Sequence, residues 1–440
     1  MTSLTYSKSG VALYGGWADN SLTGITSSLQ NLISLTPTTE TPFKVVGDYR
    51  LLNQPGLQLI LDGSGFTYSS TGVPIGGVIS EWRQYFNGRL VFDLTGFSVP
   101  VTTLSAWINS GQYALAGATI FGGNDTIAAP YGVDIIDGYG GIDTAILPDA
   151  VKSVHISGSP MNSATVTSAD ISVSLTSIER VQFVDGTLYY DTSSPAAQIV
   201  RIYQAALGRV ADPTGLAGWV AALNGGGSLA QVGASFIGSV EFQTRFPGVS
   251  QNATAFVTQL YANVLHRAPD SAGLSYWAGL LQNGTQTQAQ VLTGFSESAE
   301  NQGNTAGQIS NGVWVADEQA ASVARLYYSA LGRAPDAAGL IAWTNSLESG
   351  GQTTQQEAAG FTGSAEFQGK YGSLTNADFV GLLYHNVLGR QADSAGLGAW
   401  TNALNTGALS RAGVLVGFSE SLEHQILRAP KIEASGVMLG

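Results

Sequence analysis

The chain has 440 residues, enough for about three domains, with 31 acidic against 18 basic side chains and a formal charge of −13. That balance argues against a nucleic-acid partner, which wants a basic face, and against a polybasic membrane-surface module. Hydrophobic residues make up 44% of the chain, so a core can be buried, and cysteine is absent, which excludes disulfides, zinc–thiolate sites and cysteine nucleophiles.

The N-terminus, Met1-Thr2-Ser3-Leu4-Thr5-Tyr6, lacks the basic and apolar regions of a cleaved signal peptide. No apolar run reaches the ~18–20 residues of a membrane span. Taken alone, this reads as cytoplasmic; the acidic, Gly-, Ser- and Thr-rich, Cys-free composition instead fits bacterial proteins exported through a C-terminal signal. Residues 1–116 read as a β-rich domain, with short runs such as Leu57-Gln58-Leu59-Ile60-Leu61 and Leu90-Val91-Phe92-Asp93-Leu94 broken by Gly, Ser and Asp. One helix is expected between Ser21 and Leu35, where Leu22, Ile25, Leu29, Leu32 and Ile33 fall at helical spacing.

Residues 117–194 carry the one chemical constellation. Asp125, Asp134 and Asp143 stand nine residues apart in Gly123-Asn124-Asp125, Gly132-Val133-Asp134 and Gly141-Ile142-Asp143. Nine is the period of the Ca²⁺-binding parallel β-roll. Two nonapeptides make one coil, which puts Asp125 and Asp143 on one edge and Asp134 on the other. Glycines permit tight turns that expose carbonyls, and Ca²⁺ takes six to eight carboxylate and carbonyl oxygens. The candidate metal residues are therefore Asp125, Asp134 and Asp143, with Gly123, Asn124, Asp137 and Gly141 around them. The motif is degenerate, with Phe121, Pro130 and Tyr139 at its second glycine position. A metal-free series of Gly-Asp turns is the alternative.

From Pro195 the period becomes helical: Ile199, Val200, Tyr203, Ala206 and Leu207 share one face. A frame Leu-x-Arg-x-x-Asp-x-x-Gly-Leu-x-x-Trp then recurs four times. It places Arg209, Asp212 and Trp219; Arg267, Asp270 and Trp277; Arg333, Asp336 and Trp343; and Arg390, Asp393 and Trp400. The arginines step by 58, 66 and 57 residues, as in a duplicated two-repeat module. Each repeat ends alike, in Phe236…Ser239…Glu241 and its counterparts. The frame reads as structural. The aspartate caps the next helix, the arginine braces the turn by pairing with that aspartate or with carbonyls at the preceding helix end, and Leu and Trp face the core. A ligand surface built from the four Arg/Asp turns is the functional alternative. The expected modules are 195–303 and 317–428, followed by a tail, 429–440.

No catalytic motif stands out. His155, His266, His385 and His424 form no His-Glu-x-x-His, and Gly-x-Ser-x-Gly and phosphate-loop patterns are missing. His266 takes the repeat's glycine position and reads as a turn residue; His385 reads as helix surface. Glu81 beside Trp82 is the one suggestion of a sugar cleft. Trp82, Tyr85 and Trp314, outside the repeat cores, are the aromatics most available to stack on a glycan.

The segment around Gly63-Ser64-Gly65 resembles the β-rich leader of bacterial RTX-type secreted proteins, the nonapeptides resemble a shortened RTX β-roll, and Ser177-Ile178-Glu179 is similar to the strand and turn that often follow it. The helical frame resembles the DUF4214 family. A related Tyr…Gly…Pro…Gly-Leu pattern is similar to the cell-anchoring domain of a Gram-negative S-layer protein. The resemblance implies export by type I secretion machinery and Ca²⁺-driven folding outside the cell. The fold class expected is α+β multidomain: a β-rich N-terminal half with a short parallel β-roll, and an all-α C-terminal half of tandem repeats. The expected role is a secreted, non-catalytic surface-layer, biofilm or appendage protein stabilised by Ca²⁺. Its partners are copies of itself in a sheet or filament, or cell-surface polysaccharide, with no nucleic acid and no membrane span. A polysaccharide-binding module is the alternative, and an extracellular hydrolase the third.

Overall fold

The structure, a computed structural model, describes residues 3–6, 36–41, 44–49, 57–70, 74–86, 89–128, 132–428, 432 and 436–437. The helix expected between Ser21 and Leu35 lies outside the described residues. The chain forms two compact units, residues 1–149 with 153–183, and residues 150–152 with 184–440. The boundary thus falls ahead of Pro195, because a strand before the first helix belongs to the helical unit.

The N-terminal unit contains β1 (Ser3–Tyr6), β2 (Thr36–Thr41), β3 (Lys44–Tyr49), β4 (Leu57–Tyr68), β5 (Pro74–Phe86), β6 (Arg89–Pro100), β7 (Thr126–Ala128), β8 (Gly132–Asp137) and β9 (Thr144–Ile146), then β10 (His155–Ser159), β11 (Ser163–Thr167), β12 (Ile171–Thr176) and β13 (Arg180–Phe183). Helices α1 (Val101–Ser110) and α2 (Tyr113–Ile120) lie between β6 and β7. One sheet runs β13-β9-β7-β1-β6-β5-β4-β3-β2 within this unit, and a second runs β10-β11-β12-β8. The β2–β6 meander is antiparallel. Its register aligns Leu61, Trp82 and Leu94 across three strands, at 1%, 3% and 2% exposure. That stripe is a core, made by side chains that alternate between the sheet's two faces.

Beyond β1 the pairing turns parallel and the chain coils. β7 pairs β9 with Thr126 opposite Thr144. β9 pairs β13 with Thr144 opposite Arg180. The intervening strand β8 pairs β12 in the other sheet, with Asp134 opposite Val173. One coil is therefore 18 residues from β7 to β9, as the nine-residue period implies. The β10–β11 hairpin interrupts the next coil before β12 and β13 resume it.

The helical unit holds β14 (Gly186–Tyr189), four repeats of four helices, and β15 (Val313–Ala316) between the second and third repeats. The first repeat is α3 (Pro195–Leu207), α4 (Pro213–Asn224), α5 (Leu229–Gly238) and α6 (Val240–Arg245). The second is α7 (Ala253–Leu260, running on as a π-helical turn to Leu265), α8 (Ser271–Gln282), α9 (Gln288–Ser296) and α10 (Ala299–Ile309). The third is α11 (Glu318–Leu331), α12 (Ala337–Glu348), α13 (Thr354–Gly363) and α14 (Ala365–Tyr371). The fourth is α15 (Asn376–Leu388), α16 (Ser394–Asn405), α17 (Arg411–Ser419) and α18 (Leu422–Arg428). Repeats one and two share one apolar core and repeats three and four another, so the packing unit is the pair. Within each pair α5 packs on α9, and α13 on α17. β15 pairs antiparallel with β14, so the chain returns to its starting strand between modules. Among the described residues, no helix is long and apolar enough to cross a membrane.

Candidate functional site

The roll brings Asp125, Asp143 and Glu179 to one edge. The side chain of each rung reaches the amide of the rung one coil back. Asp143 Oδ1 accepts from the Asp125 N–H at 2.7 Å, and Glu179 Oε2 from the Asp143 N–H at 2.8 Å. Beside them Asn124 Oδ1 accepts from the Ile142 N–H at 2.9 Å. Gly141, at φ 135, is packed so closely on the previous coil that a Cβ there would lie 2.0 Å from the Gly123 carbonyl oxygen. No side chain fits that contact.

Asp143 has 0% exposure, and its second carboxylate oxygen has no hydrogen-bond partner among the described residues. Burial pushes its pKa up to about 7; the Asp125 N–H opposes that, and the carboxylates of Glu179, Asp125 and Asp137 add to it. Asp137 sits at the turn after β8, where its Oδ1 accepts from the Tyr139 N–H at 2.9 Å. Tyr139 and Ser177, in the turns that follow β8 and β12, hold left-handed backbone at φ 58 and φ 52, a conformation L-residues seldom keep without support from their surroundings. Asp134 is in β8 of the other sheet and does not join the Asp125–Asp143–Glu179 edge. Among the described residues, no three His, Cys, Asp or Glu side chains form a ready metal cage. The edge still fits a hard cation in charge and donor type: a buried carboxylate with a spare oxygen and acidic neighbours. Glu179 was not among the sequence candidates. Its signal was its place 36 residues after Asp143, two coil lengths on, which the hairpin insertion obscures.

The four arginines of the helical frame share one set of partners, held tightly at Arg209 and Arg333 and more loosely at Arg267 and Arg390. Arg209 pairs through both nitrogens of its fork with Glu241, at 2.6 and 2.8 Å, and reaches Asp212 at 3.2 Å. Arg267, Arg333 and Arg390 pair in turn with Glu300, Glu366 and Glu423. Each guanidinium also lies over a tyrosine ring, Tyr203, Tyr261, Tyr327 or Tyr384, at 4.9–5.1 Å. The main partner is thus the glutamate that closes each repeat. The frame's aspartate is secondary, because its carboxylate is engaged in capping. Asp212, Asp270, Asp336 and Asp393 each accept from the N–H three residues on, at 2.8 Å. The tryptophans are half-buried and pack against the module cores, as expected. Trp219, Trp277, Trp343 and Trp400 pack on Phe236, Phe295, Phe361 and Phe418 at 5.1–5.4 Å.

Further contacts close each module. Arg201, fully buried, grips Glu297 and donates to the Thr192 carbonyl at 2.9 Å. Arg325 holds the matching position and bonds Glu420 and Glu318, both at 2.7 Å. Asn263 and Asn386 bridge to the Ala205 and Ser329 carbonyls of the preceding repeat. Asp185 ties three distant segments. Its carboxylate accepts from the Val151 and Val437 N–H groups, and its carbonyl from Asp317. Ile432 and Val437 of the tail are buried in the second module's core.

The proposed sugar-cleft residues fare differently. Trp82 is in the meander core, so it has no face for a glycan. Glu81 is ion-paired with Arg83 at 2.9 Å. The Tyr85 side chain lies outside the described residues. Trp314 is half-buried beside a cleft of about 230 Å³ lined by Val200, Val210, Leu216 and Gln308. His266 takes the turn at φ 51, and His385 is exposed on α15.

No curated protein and no solved structure matches the chain. A family model described as a domain of unknown function, DUF4214, matches residues 187–246, 233–305, 316–370 and 358–427. The four spans follow the four repeats and together cover just over half of the chain. The chain therefore belongs to the DUF4214 family, as tandem copies of its domain.

Proposed function

We propose that this protein is a secreted, non-catalytic component of a bacterial cell surface or extracellular matrix, with a Ca²⁺-stabilised roll and the capacity to self-assemble. The observation that carries the reading is the carboxylate edge of Asp125, Asp143 and Glu179, stacked at coil spacing beside Gly123 and Gly141. These residues, with Asn124 and Asp137 beside them, would hold the ion. Bound there, Ca²⁺ would neutralise a set of carboxylates that repel one another, and binding only to the folded roll would stabilise it. Asp143 orients its coil by accepting from the previous one; Gly141 lets the coils approach. Export through type I machinery belongs to the same reading, since folding would wait for extracellular Ca²⁺.

The helical half supports a structural role. Its frame residues are committed to one another in arginine clamps and helix caps. A polysaccharide-binding role is the second reading, favoured by the half-buried Trp314 beside its cleft.

The test is calorimetric titration of the full chain with Ca²⁺, followed by light scattering with Ca²⁺ and with chelator. Uptake, with larger particles only in Ca²⁺, is expected. No uptake at millimolar Ca²⁺ would remove the ion from the reading. A monomer in both conditions would remove self-assembly and leave Trp314 as the next residue to probe, on a glycan array.

A further inference from the structure

We propose that the second helical module contains a proton-sensitive seam between α13 and α17, with Glu357 as its titrating group. Aligning the repeats on their recurring phenylalanine exposes the anomaly. The residue four positions before Phe236, Phe295, Phe361 and Phe418 is Val232, Val291, Glu357 and Val414. The three valines are 3%, 0% and 0% exposed, and Glu357 is 0% exposed. A carboxyl group thus stands where three other repeats bury an apolar side chain. Neither of its oxygens has a hydrogen-bond partner among the described residues.

The surroundings offer it no charge. Helix α13 packs on α17, α11 and α14, with Trp343 of α12 over Gly360. On α17 the one charged residue is Arg411, which bonds the Leu374 carbonyl at 2.6 Å and Asn376 at 3.2 Å. On α11, Glu318 and Arg325 pair with each other; the other titratable side chains there are Tyr327, which burial pushes above its usual value, and Tyr328. On α14, Glu366 and Lys370 pair at 2.9 Å, beside Tyr371. On α12 the acid is Glu348.

The same module carries further hydroxyls with no hydrogen-bond partner among the described residues, at Ser329, Thr344 and Thr401. Module one has Ala205, Val220 and Ala278 at the matching positions. At these positions, with Glu357, the second module is the more polar version of one architecture. While the seam is closed, Glu357 keeps its proton, because an ion there has neither water nor partner. Ionisation admits water and separates α13 from α17. Burial pushes this carboxyl up to about 7, so closure is favoured at low pH and is progressively lost as pH rises towards neutrality.

Hydrogen exchange on the full chain tests this with a control inside the molecule. Peptides spanning 354–363 and 411–419 report the seam; 229–238 and 288–296 report the all-valine equivalent. After correction for intrinsic exchange, the seam should lose at least about tenfold more protection than the control between pH 5 and pH 8. Glu357→Val should abolish that difference, and Glu357→Gln should abolish the pH dependence without restoring full protection. If the two helix pairs track each other across pH in the unmodified protein, the proposal fails. It fails equally if Glu357→Val folds and the difference persists.

Discussion

Arg201 and Arg209 lie eight residues apart in sequence and illustrate two uses of one side chain. Arg201 is fully buried, while Arg209 keeps 29% of its side chain exposed. An exposed ion pair contributes about 0–1 kcal/mol, so the Arg209 clamp serves mainly to fix a turn. Its geometry, a fork on Glu241 and a stack on Tyr203, suits arginine and not lysine. Arg201 is different, because removing it strands the Glu297 carboxylate at the module's interior edge. Arg201→Met should therefore cost about 3–5 kcal/mol, read as a fall in the denaturation midpoint. Arg201→Met with Glu297→Met should recover most of that loss, since no uncompensated charge remains. A double variant as unstable as the single one would mean that the pair, rather than its charge balance, holds the module closed.

At the scale of elements, the turn frame explains why particular glycines recur. The glycine three residues after each capping aspartate lies under the hydroxyl of the clamp tyrosine. A Cβ on Gly215 would sit 1.9 Å from the Tyr203 hydroxyl. Gly215→Ala should displace that ring and its arginine, costing about 1–3 kcal/mol. Gly218, one turn on in the same helix, meets nothing within 4 Å. Gly218→Ala should stabilise by up to about 1 kcal/mol through helix propensity alone. Melting temperatures moving in opposite directions would confirm the frame as packing geometry. Two equal losses would place the requirement elsewhere in the helix.

These elements also show what sequence could reveal. Caps, turns and repeat lengths were legible because four copies repeat the same spacing, and spacing is what a helix imposes. The 18-residue coil was legible for the same reason. Glu179 was hidden by a hairpin that breaks the period, and Glu357 by being a single departure from an otherwise apolar pattern. Trp82 misled because an alternating strand does not announce which of its faces is covered. Arg201 and Arg325 were missed because their partners lie 96 and 95 residues away.

At the scale of the whole molecule, the two compact units should answer pH alike and Ca²⁺ differently. Burial raises Asp143 to about 7 in the N-terminal unit, and Asp185 to about 6 and Glu357 to about 7 in the helical unit. Each folded carboxyl therefore holds its proton over a range where the unfolded one, with an ordinary pKa near 4, has lost it. The folded state binds more protons there, so stability falls as pH rises from about 4 to about 7 and is flat above. In chelator, both units should melt at lower temperature at pH 8 than at pH 5. Ca²⁺ binds ionised carboxylates and competes with protons. At 100 times its dissociation constant a ligand specific to the folded state adds about 2.7 kcal/mol. Ca²⁺ at pH 8 should thus lift the melting of the N-terminal unit and leave the helical unit where it was, with a smaller lift at pH 5. Asp143→Asn should remove much of that unit's pH response, the buried Asp149 carboxyl keeping a remainder, and most of its Ca²⁺ response. Scanning calorimetry resolves the two transitions. Equal Ca²⁺ shifts in both units, unchanged by Asp143→Asn, would reduce the effect to general screening of a chain with net charge −13.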